Sequence, residues 1–146
     1  MAVFERFFKQ SNGCPVDYDG QVVNLFDRLQ VNDGQEIKVI FESVHSNWRQ
    51  GIHLSTDGTF EVNKQTAAEI VLWQDTSPRE VVLKVHSQKG ECLVMNIWDT
   101  GNGLLQRGHN GAAMIVEELP NGRRYQCNDG FADDDFDDIV FRLERV

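Results

Sequence analysis

The feature that most constrains the fold is a two-residue periodicity that runs from Gln35 to the C-terminus. Short runs of alternating or β-branched apolar residues recur there, separated by glycine, asparagine, aspartate and proline. This spacing is typical of strands joined by short turns, and it predicts nine of them: Glu36–Ser43, Gln50–Ser55, Thr59–Asn63, Glu69–Trp73, Arg79–His86, Glu91–Trp98, Ala112–Leu119, Arg123–Cys127 and Asp138–Arg145. Because no helices lie between them to connect parallel neighbours, we expect an all-β, mainly antiparallel sandwich or a closely related jelly roll.

Three glycine-containing pairs punctuate these runs, and each predicts a hairpin turn. They are Asp57-Gly58, Lys89-Gly90 and Asn121-Gly122. Glycine adopts the positive φ that tight hairpin turns require, so we expect the strands on either side of each pair to be neighbours in a sheet.

The first thirty residues differ from the rest of the chain. Three phenylalanines precede two turn-rich stretches, and a further apolar group follows at helix-like spacing: Val22, Val23, Leu25, Phe26 and Leu29. This pattern predicts an N-terminal extension over residues 1–30, a short helix or irregular segment packed on a main domain over residues 31–146. A partner-binding or oligomerising arm is the alternative for the extension.

Charge narrows the classes of partner. The formal net charge is −9, and six aspartates are concentrated between residues 129 and 138. Binding to a nucleic-acid backbone requires lysines and arginines that displace counterions, so this balance argues against nucleic acid and favours cations.

The cysteines and the N-terminus indicate a compartment. Cys14, Cys92 and Cys127 cannot all pair within one chain and form no metal-ligand spacing, which fits a reducing environment. The N-terminus is too charged for a signal sequence, and no apolar run is long enough to span a membrane. We therefore expect a protein that is cytoplasmic as synthesised, with export by a route without a cleaved signal left open.

The acidic run contains no lysine or arginine. Carboxylates held a few ångströms apart repel one another by about 1 kcal/mol or more per pair at intermediate dielectric, so folding this segment requires protons, water or a cation, and a hard cation is the simplest of these. The alternating Asp133, Asp135 and Asp137 can converge on calcium, which takes six to eight oxygen ligands. A solvated acidic tail is the alternative, but an apolar strand follows the run directly. An EF-hand does not fit, because its sixth position is Asp138 and not glycine.

The segment Asp129–Asp138 resembles the C-terminal loop of the calcium-dependent bacterial fucose- and mannose-binding lectins, whose signature is E-D-G-x-D-x-D-Y-N-D followed by an apolar strand. Asp129 falls on the glutamate of that signature, and three aspartates coincide with it: Asp133, Asp135 and Asp138. In these lectins the loop holds two calcium ions, and sugar hydroxyls complete their coordination. The resemblance implies a metal site formed by Asp129, Asp133, Asp135, Asp137 and Asp138, and sugar contacts by Asp133 and Asp135.

The chain also departs from that signature. The aspartate–glycine pair is displaced by one position, Phe136 replaces the tyrosine, and Asp137 replaces the asparagine. The chain ends at Val146 without the family's terminal glycine, whose carboxylate completes a neighbouring subunit's site. The family also supplies an asparagine ligand from an early loop, for which three residues are open: Glu42, Ser43 and Asn47.

Other patterns give little support for catalysis. The four histidines show no paired spacing, no nucleophile or phosphate-binding motif occurs, and a hydrolase with paired carboxylates has no identifiable second carboxylate. The glycine-rich stretch Gly101–Gly111 is either a binding loop or a plain connection. Of the tryptophans, we expect Trp73 and Trp98 in the core and Trp48 at the surface.

The sequence thus favours a non-enzymatic, calcium-dependent carbohydrate-binding protein for fucose- or mannose-type or other glycans. A structural calcium module within a protein assembly or surface protein is the alternative. Homo-oligomers are compatible with either.

Overall fold

A computed structural model describes residues 3–131 and 135–146. One helix and eleven strands are present in this part of the chain: α1 (Val3–Gln10), β1 (Val16–Tyr18), β2 (Gln21–Val23), β3 (Asp27–Gln30), β4 (Gln35–Val44), β5 (Arg49–Val62), β6 (Gln65–Trp73), β7 (Glu80–His86), β8 (Glu91–Asp99), β9 (Ala113–Leu119), β10 (Gly122–Asn128) and β11 (Ile139–Arg145).

All strand pairs are antiparallel. Strands β1 and β2 form a small hairpin sheet, and the other nine form one sheet in the order β3-β8-β5-β7-β4-β11-β10-β9, with β6 paired to β5. Alternate residues of these strands point into one apolar core, as Ile37, Val39 and Phe41 do along β4, because side chains alternate between the two faces of a strand. The predicted all-β, antiparallel, sandwich-like fold is confirmed.

Strand β5 is longer than predicted, and the expected hairpin at Asp57-Gly58 is wrong. Residues 49–56 of β5 pair with β8, and residues 59–61 pair with β7, so the pair lies inside one continuous strand that changes partners. A Cβ on Gly58 would lie 1.9 Å from the His86 carbonyl oxygen, so glycine is needed for a close backbone approach. The turn comes later, at Asn63 and Lys64, which both have positive φ.

The other two predicted turns had different outcomes. Lys89-Gly90 connects β7 to β8, but both strands pair with β5 and not with each other, so the expected hairpin there is wrong. Asn121-Gly122 joins β9 to β10, whose register begins with Leu119 opposite Gly122. That hairpin is confirmed.

The N-terminal segment is a helix followed by strands. Phe4 and Phe8 on α1 are buried in a second apolar cluster with Val23, Ala113 and Phe136. The helix-like spacing from Val22 to Leu29 was misleading, because this stretch forms β2 and β3, and β3 pairs with β8 in the large sheet. Within the described ranges, no helix is long and apolar enough to cross a membrane.

The three cysteines are unpaired thiols, with Cys14 exposed and the other two buried. Burial, with a smaller effect of the nearby Asp27 charge, raises the pKa of Cys92 to about 12. Burial also raises the pKa of Cys127 well above its usual value. Both buried thiols therefore remain protonated and serve as small core residues.

Candidate functional site

The acidic segment and the loop between β4 and β5 meet where three neighbouring strands of the large sheet, β4, β11 and β10, begin or end. Strand β11 pairs with both β4 and β10, which places Ile139 opposite Val44 and Cys127. The end of β4, the end of β10 and the start of β11 are therefore neighbours. Between them lies a cavity of about 330 Å³, lined by His45, Ser46, Asn47, Trp48, Asp129, Phe131 and Asp138.

Asp129 lines the cavity and is almost completely buried, with 1% of its surface exposed. Its Oδ2 accepts hydrogen bonds from Ser46 Oγ at 2.7 Å and Gln50 Nε2 at 2.8 Å. Its Oδ1 accepts a bond from the Phe131 backbone N–H at 2.9 Å. Among the described residues no lysine or arginine forms an ion pair with Asp129. Polar donors alone therefore balance its charge within the described protein.

Asp138 lies beside Asp129 and is 5% exposed. Its Oδ2 accepts a hydrogen bond from the Asp129 backbone N–H at 2.9 Å, and its backbone is bonded to both flanking segments, through Cys127 O and His45 N. After burial, the charge of Asp138 is the second cause of the raised pKa of the Cys127 thiol. Two carboxylates are thus buried next to each other, which is costly unless positive charge or hydrogen bonds compensate.

Of the other predicted metal ligands, the two that the structure describes, Asp135 and Asp137, do not line this cavity. Asp133 lies outside the described residues, Asp135 is exposed, and Asp137 is partly buried. Within the described ranges, no group of three or more histidine, cysteine, aspartate or glutamate side chains is arranged to hold a metal ion. Of the four predicted ligands that the structure describes, Asp129 and Asp138 are brought together.

The chemistry of the cavity suits a hard cation. Gln50 is buried beside Asp129, and its Oε1 has no hydrogen-bond partner within the described structure. A buried carbonyl oxygen without a partner, on a side chain bonded to Asp129, is an oxygen of the kind that calcium prefers. These residues fit a calcium ion, with further oxygens required to complete its shell.

Of the three residues open for the early-loop ligand, one lines the cavity. Glu42 is bonded to Arg124 at 3.0 Å and lies 3.7 Å from Arg142, while Ser43 pairs with Val140 inside the sheet. Asn47 is exposed at the cavity. The geometry singles out Asn47 as the residue able to reach a ligand there.

Sequence reasoning missed two residues that hold Asp129, namely Ser46 and Gln50. Ser46 also accepts the Trp48 backbone N–H at 3.1 Å, which fixes the turn of the β4–β5 loop. The polar stretch at residues 45–47, directly after a predicted strand, was the available signal for Ser46. Nothing in the sequence indicated a site role for Gln50, which is the first residue of a predicted strand.

An aromatic pair forms one wall of the cavity. The rings of Trp48 and Phe131 meet edge to face, with centroids 6.4 Å apart, and Phe131 is 62% exposed. Trp48 is partly buried and not fully at the surface as expected. Trp98 is in the core as predicted, whereas Trp73 is only partly buried and lies beneath the Arg49 guanidinium at 4.4 Å.

Residues outside the cavity also pack against the acidic segment. A Cβ on Gly130 would lie 2.7 Å from the Trp98 indole, so the backbone there rests directly on that ring. Phe136 packs edge to face on Phe4 of α1, with centroids 5.6 Å apart. The glycine-rich stretch contributes at its end, where the Gly111 N–H donates to Gly130 O at 3.4 Å. The N-terminal helix and this stretch therefore both contact the segment.

The likeness of this chain to known proteins is structural and not a likeness of sequence. No protein-family model matches the chain, and no curated protein matches its sequence significantly. A solved structure of the Chromobacterium violaceum lectin CV2L in complex with alpha-methyl-fucoside is similar over 80% of this chain and 92% of that chain, with 16% sequence identity and a TM-score of 0.49. At those values the likeness carries no inference about function.

Proposed function

We propose that this chain is a calcium-dependent carbohydrate-binding protein without catalytic activity, and that its ligand site is the cavity at the acidic segment. One observation carries the proposal: the same cavity joins two buried aspartates, Asp129 and Asp138, to an aromatic pair whose Phe131 ring is exposed. Carboxylates that can hold a cation and rings that can pack on the apolar face of a pyranose are together suited to a sugar.

The cation would be held by the predicted aspartates Asp129, Asp133, Asp135, Asp137 and Asp138. Bound calcium would supply positive charge and coordination positions that vicinal sugar hydroxyls can fill. The buried Asp129 and Asp138 set the charge of the cavity floor, while hydrogen bonds from Ser46 and Gln50 keep the Asp129 carboxylate oriented. In this proposal Asp133 and Asp135 also accept hydrogen bonds from sugar hydroxyls.

The rest of the cavity sets the size and orientation of the ligand. Its volume of about 330 Å³ is at the small end of ligand pockets and suits one or two sugar rings. Phe131 presents its ring to solvent at the mouth, and Asn47 offers an amide that both donates and accepts hydrogen bonds. Fucose- and mannose-type sugars are the first ligands to test, because the acidic segment resembles that of the lectins that bind them.

Calorimetric titration tests the two layers separately. We expect calcium to bind the purified protein, and a monosaccharide panel to give heat only when calcium is present. Phe131→Ala should weaken sugar binding and leave calcium affinity unchanged, because the ring packs on Trp48 at the mouth, while the bond to Asp129 comes from the backbone N–H, which the substitution keeps. Leu104→Ala is the matched control, since Leu104 is 61% exposed and does not line the cavity.

A structural calcium module is the second candidate, and a specific observation favours it. Asp129 and Asp138 already tie the β4–β5 loop, the end of β10 and the start of β11 together, so an ion there would stabilise the last strand. This candidate predicts a rise in melting temperature with calcium and no response to any glycan. Sugar binding that requires calcium would decide against it.

A further inference from the structure

A second concave surface lies on the other face of the sheet from the main core. Its floor is two cross-strand rows over β3, β8, β5 and β6. One row contains Arg28, Leu93, Ser55 and Glu69, and the next contains Met95, His53 and Val71. Leu93, Met95 and His53 are partly buried, whereas their strand neighbours Val94 and Leu54 are fully buried in the core.

The loop at residues 100–112 covers this floor. Two adjoining cavities of about 440 and 380 Å³ share His53, Glu69 and Arg107. Neither cavity shares a lining residue with the acidic-segment cavity. We refer to the two adjoining cavities, with their common residues, as the arginine groove.

Arg107 stands at the centre of the arginine groove without a carboxylate partner. Its Nη1 lies 3.2 Å from His53 Nδ1, while His53 Nε2 lies 3.1 Å from Glu69 Oε1. This pairing assigns Nε2–H as the donor to Glu69 and Nδ1 as the acceptor from Arg107, so the ring is neutral. No aspartate or glutamate among the described residues lies within ion-pair distance of Arg107.

Arg28 provides a second positive charge at the opposite wall. Its guanidinium is held 5.6 Å from the centroid of the Phe26 ring and bonded to Glu91 at 3.0 Å. The lining of the 380 Å³ cavity thus includes two arginines and one carboxylate, Glu69. Because Arg28 is already paired with Glu91, Arg107 is the arginine of this lining whose charge no described carboxylate neutralises.

We propose that the arginine groove binds a small molecule that carries an oxyanion, either a carboxylate or a phosphate. Arg107 donates to the anion, because a guanidinium offers several N–H donors in a planar fork and only one is used by His53. Leu93 and Met95 receive the carbon skeleton of the ligand. This site is separate from the calcium site and does not depend on it.

Nuclear magnetic resonance titration of the full chain tests the proposal. The probes are inorganic phosphate, glucuronate and, as the uncharged counterpart of glucuronate, glucose. Calcium is first removed on a chelating resin, because a soluble chelator is itself a polyanion and calcium would precipitate with phosphate. We expect saturable shifts of the Ser55 and Met95 amides with at least one of the two anions and none with glucose.

Substitutions distinguish a site from general charge attraction. Arg107→Gln should weaken binding by about tenfold or more, because it removes a charge-assisted hydrogen bond, and Arg107→Lys should restore part of it. Arg6→Gln removes the same charge from the exposed face of α1 and should change nothing. Saturation by phosphate identifies a phosphate ligand, and saturation by glucuronate alone identifies a carboxylate ligand. The proposal is overturned if neither anion saturates, if glucose gives the same shifts, or if the Arg107→Gln and Arg6→Gln variants bind alike.

Discussion

Replacing Asp129 with alanine is the sharpest test of the hydrogen-bond network under the candidate site. Truncation removes the acceptor of three donors, Ser46 Oγ, Gln50 Nε2 and the Phe131 N–H, and each buried donor left unsatisfied costs about 1–3 kcal/mol. Gln50 Nε2 keeps a second acceptor at Trp48 O, 3.3 Å away, and the Ser46 hydroxyl can rotate to water. We therefore expect a loss of about 2–4 kcal/mol in the free energy of unfolding without calcium.

At roughly 2–4 °C per kcal/mol for a chain of this length, Asp129→Ala should lower the melting temperature by about 4–16 °C. Circular dichroism melts are run without calcium and at a hundredfold excess over its Kd, where a bound ion adds about 2.7 kcal/mol of stability. The variant should also lose this calcium-dependent increment.

Asp57→Ala is the matched control for that experiment. Asp57 accepts bonds from the Ser87 hydroxyl and from two backbone N–H groups, far from the acidic segment. It should destabilise the protein and leave the calcium increment unchanged. If Asp129→Ala keeps the full increment, Asp129 is not a ligand and the argument from its burial fails.

Three further predictions concern the surroundings of both sites. Gly130→Ala should cost about 1–3 kcal/mol in thermal melts, because its Cβ would overlap the Trp98 indole; an unchanged melting temperature would contradict this packing. Phe4→Ala should lower the free energy of unfolding by about 3–5 kcal/mol, because Phe4 is buried. It should also weaken calcium binding in calorimetry, because Phe136 loses the ring on which it packs. Unchanged calcium affinity would show that the helix does not position the segment. Burial first, and the neighbouring arginine charge second, lower the pKa of His53 below its usual 6.5. Its contribution to stability is therefore present above pH 6.5 and lost as the pH falls through the lowered pKa, which NMR titration of its ring and urea unfolding against pH would measure.

The strands were predictable because their inward residues follow one simple rule. A strand with one face on the core alternates in burial, as β7 and the first part of β8 do, and its inward positions carry apolar residues. Strand partners were not predictable, because glycine has more than one use. Gly58 looked like a turn residue, but its lack of a Cβ is needed where β5 passes the His86 carbonyl.

The error in the N-terminal segment has a related cause. Val23 and Leu29 are both buried, but they face different clusters, Val23 with α1 and Leu29 in the main core. Apolar residues that serve two separate clusters can mimic the spacing of one helical face. Local periodicity cannot separate these cases, because it contains no information about which surface each residue contacts.

Only the acidic residues of the candidate site were predictable from the sequence. The acidic run identified Asp129 and Asp138, because uncompensated charge is visible in sequence. The hydrogen-bond partners of Asp129, Ser46 and Gln50, are about eighty residues away and are brought there by the pairing of β4 with β11. Ordinary polar residues at a strand entry become significant only when that register is known.

The described ends of the acidic segment show how the fold prepares a charged loop. The Phe131 N–H is bonded to the side chain of Asp129, and the Phe136 N–H is bonded to the side chain of Asn128 at 2.8 Å. Both ends are therefore fixed to consecutive residues of one strand end, and Phe136 reaches its contact with a positive φ of 55°. A non-glycine residue in that conformation is held by its surroundings, here Asn128 and the ring of Phe4. Such anchoring of residues 131 and 136 reduces the entropy cost of binding a cation at this segment, so the apolar N-terminal helix and the polar Asp129 network should act together on calcium affinity.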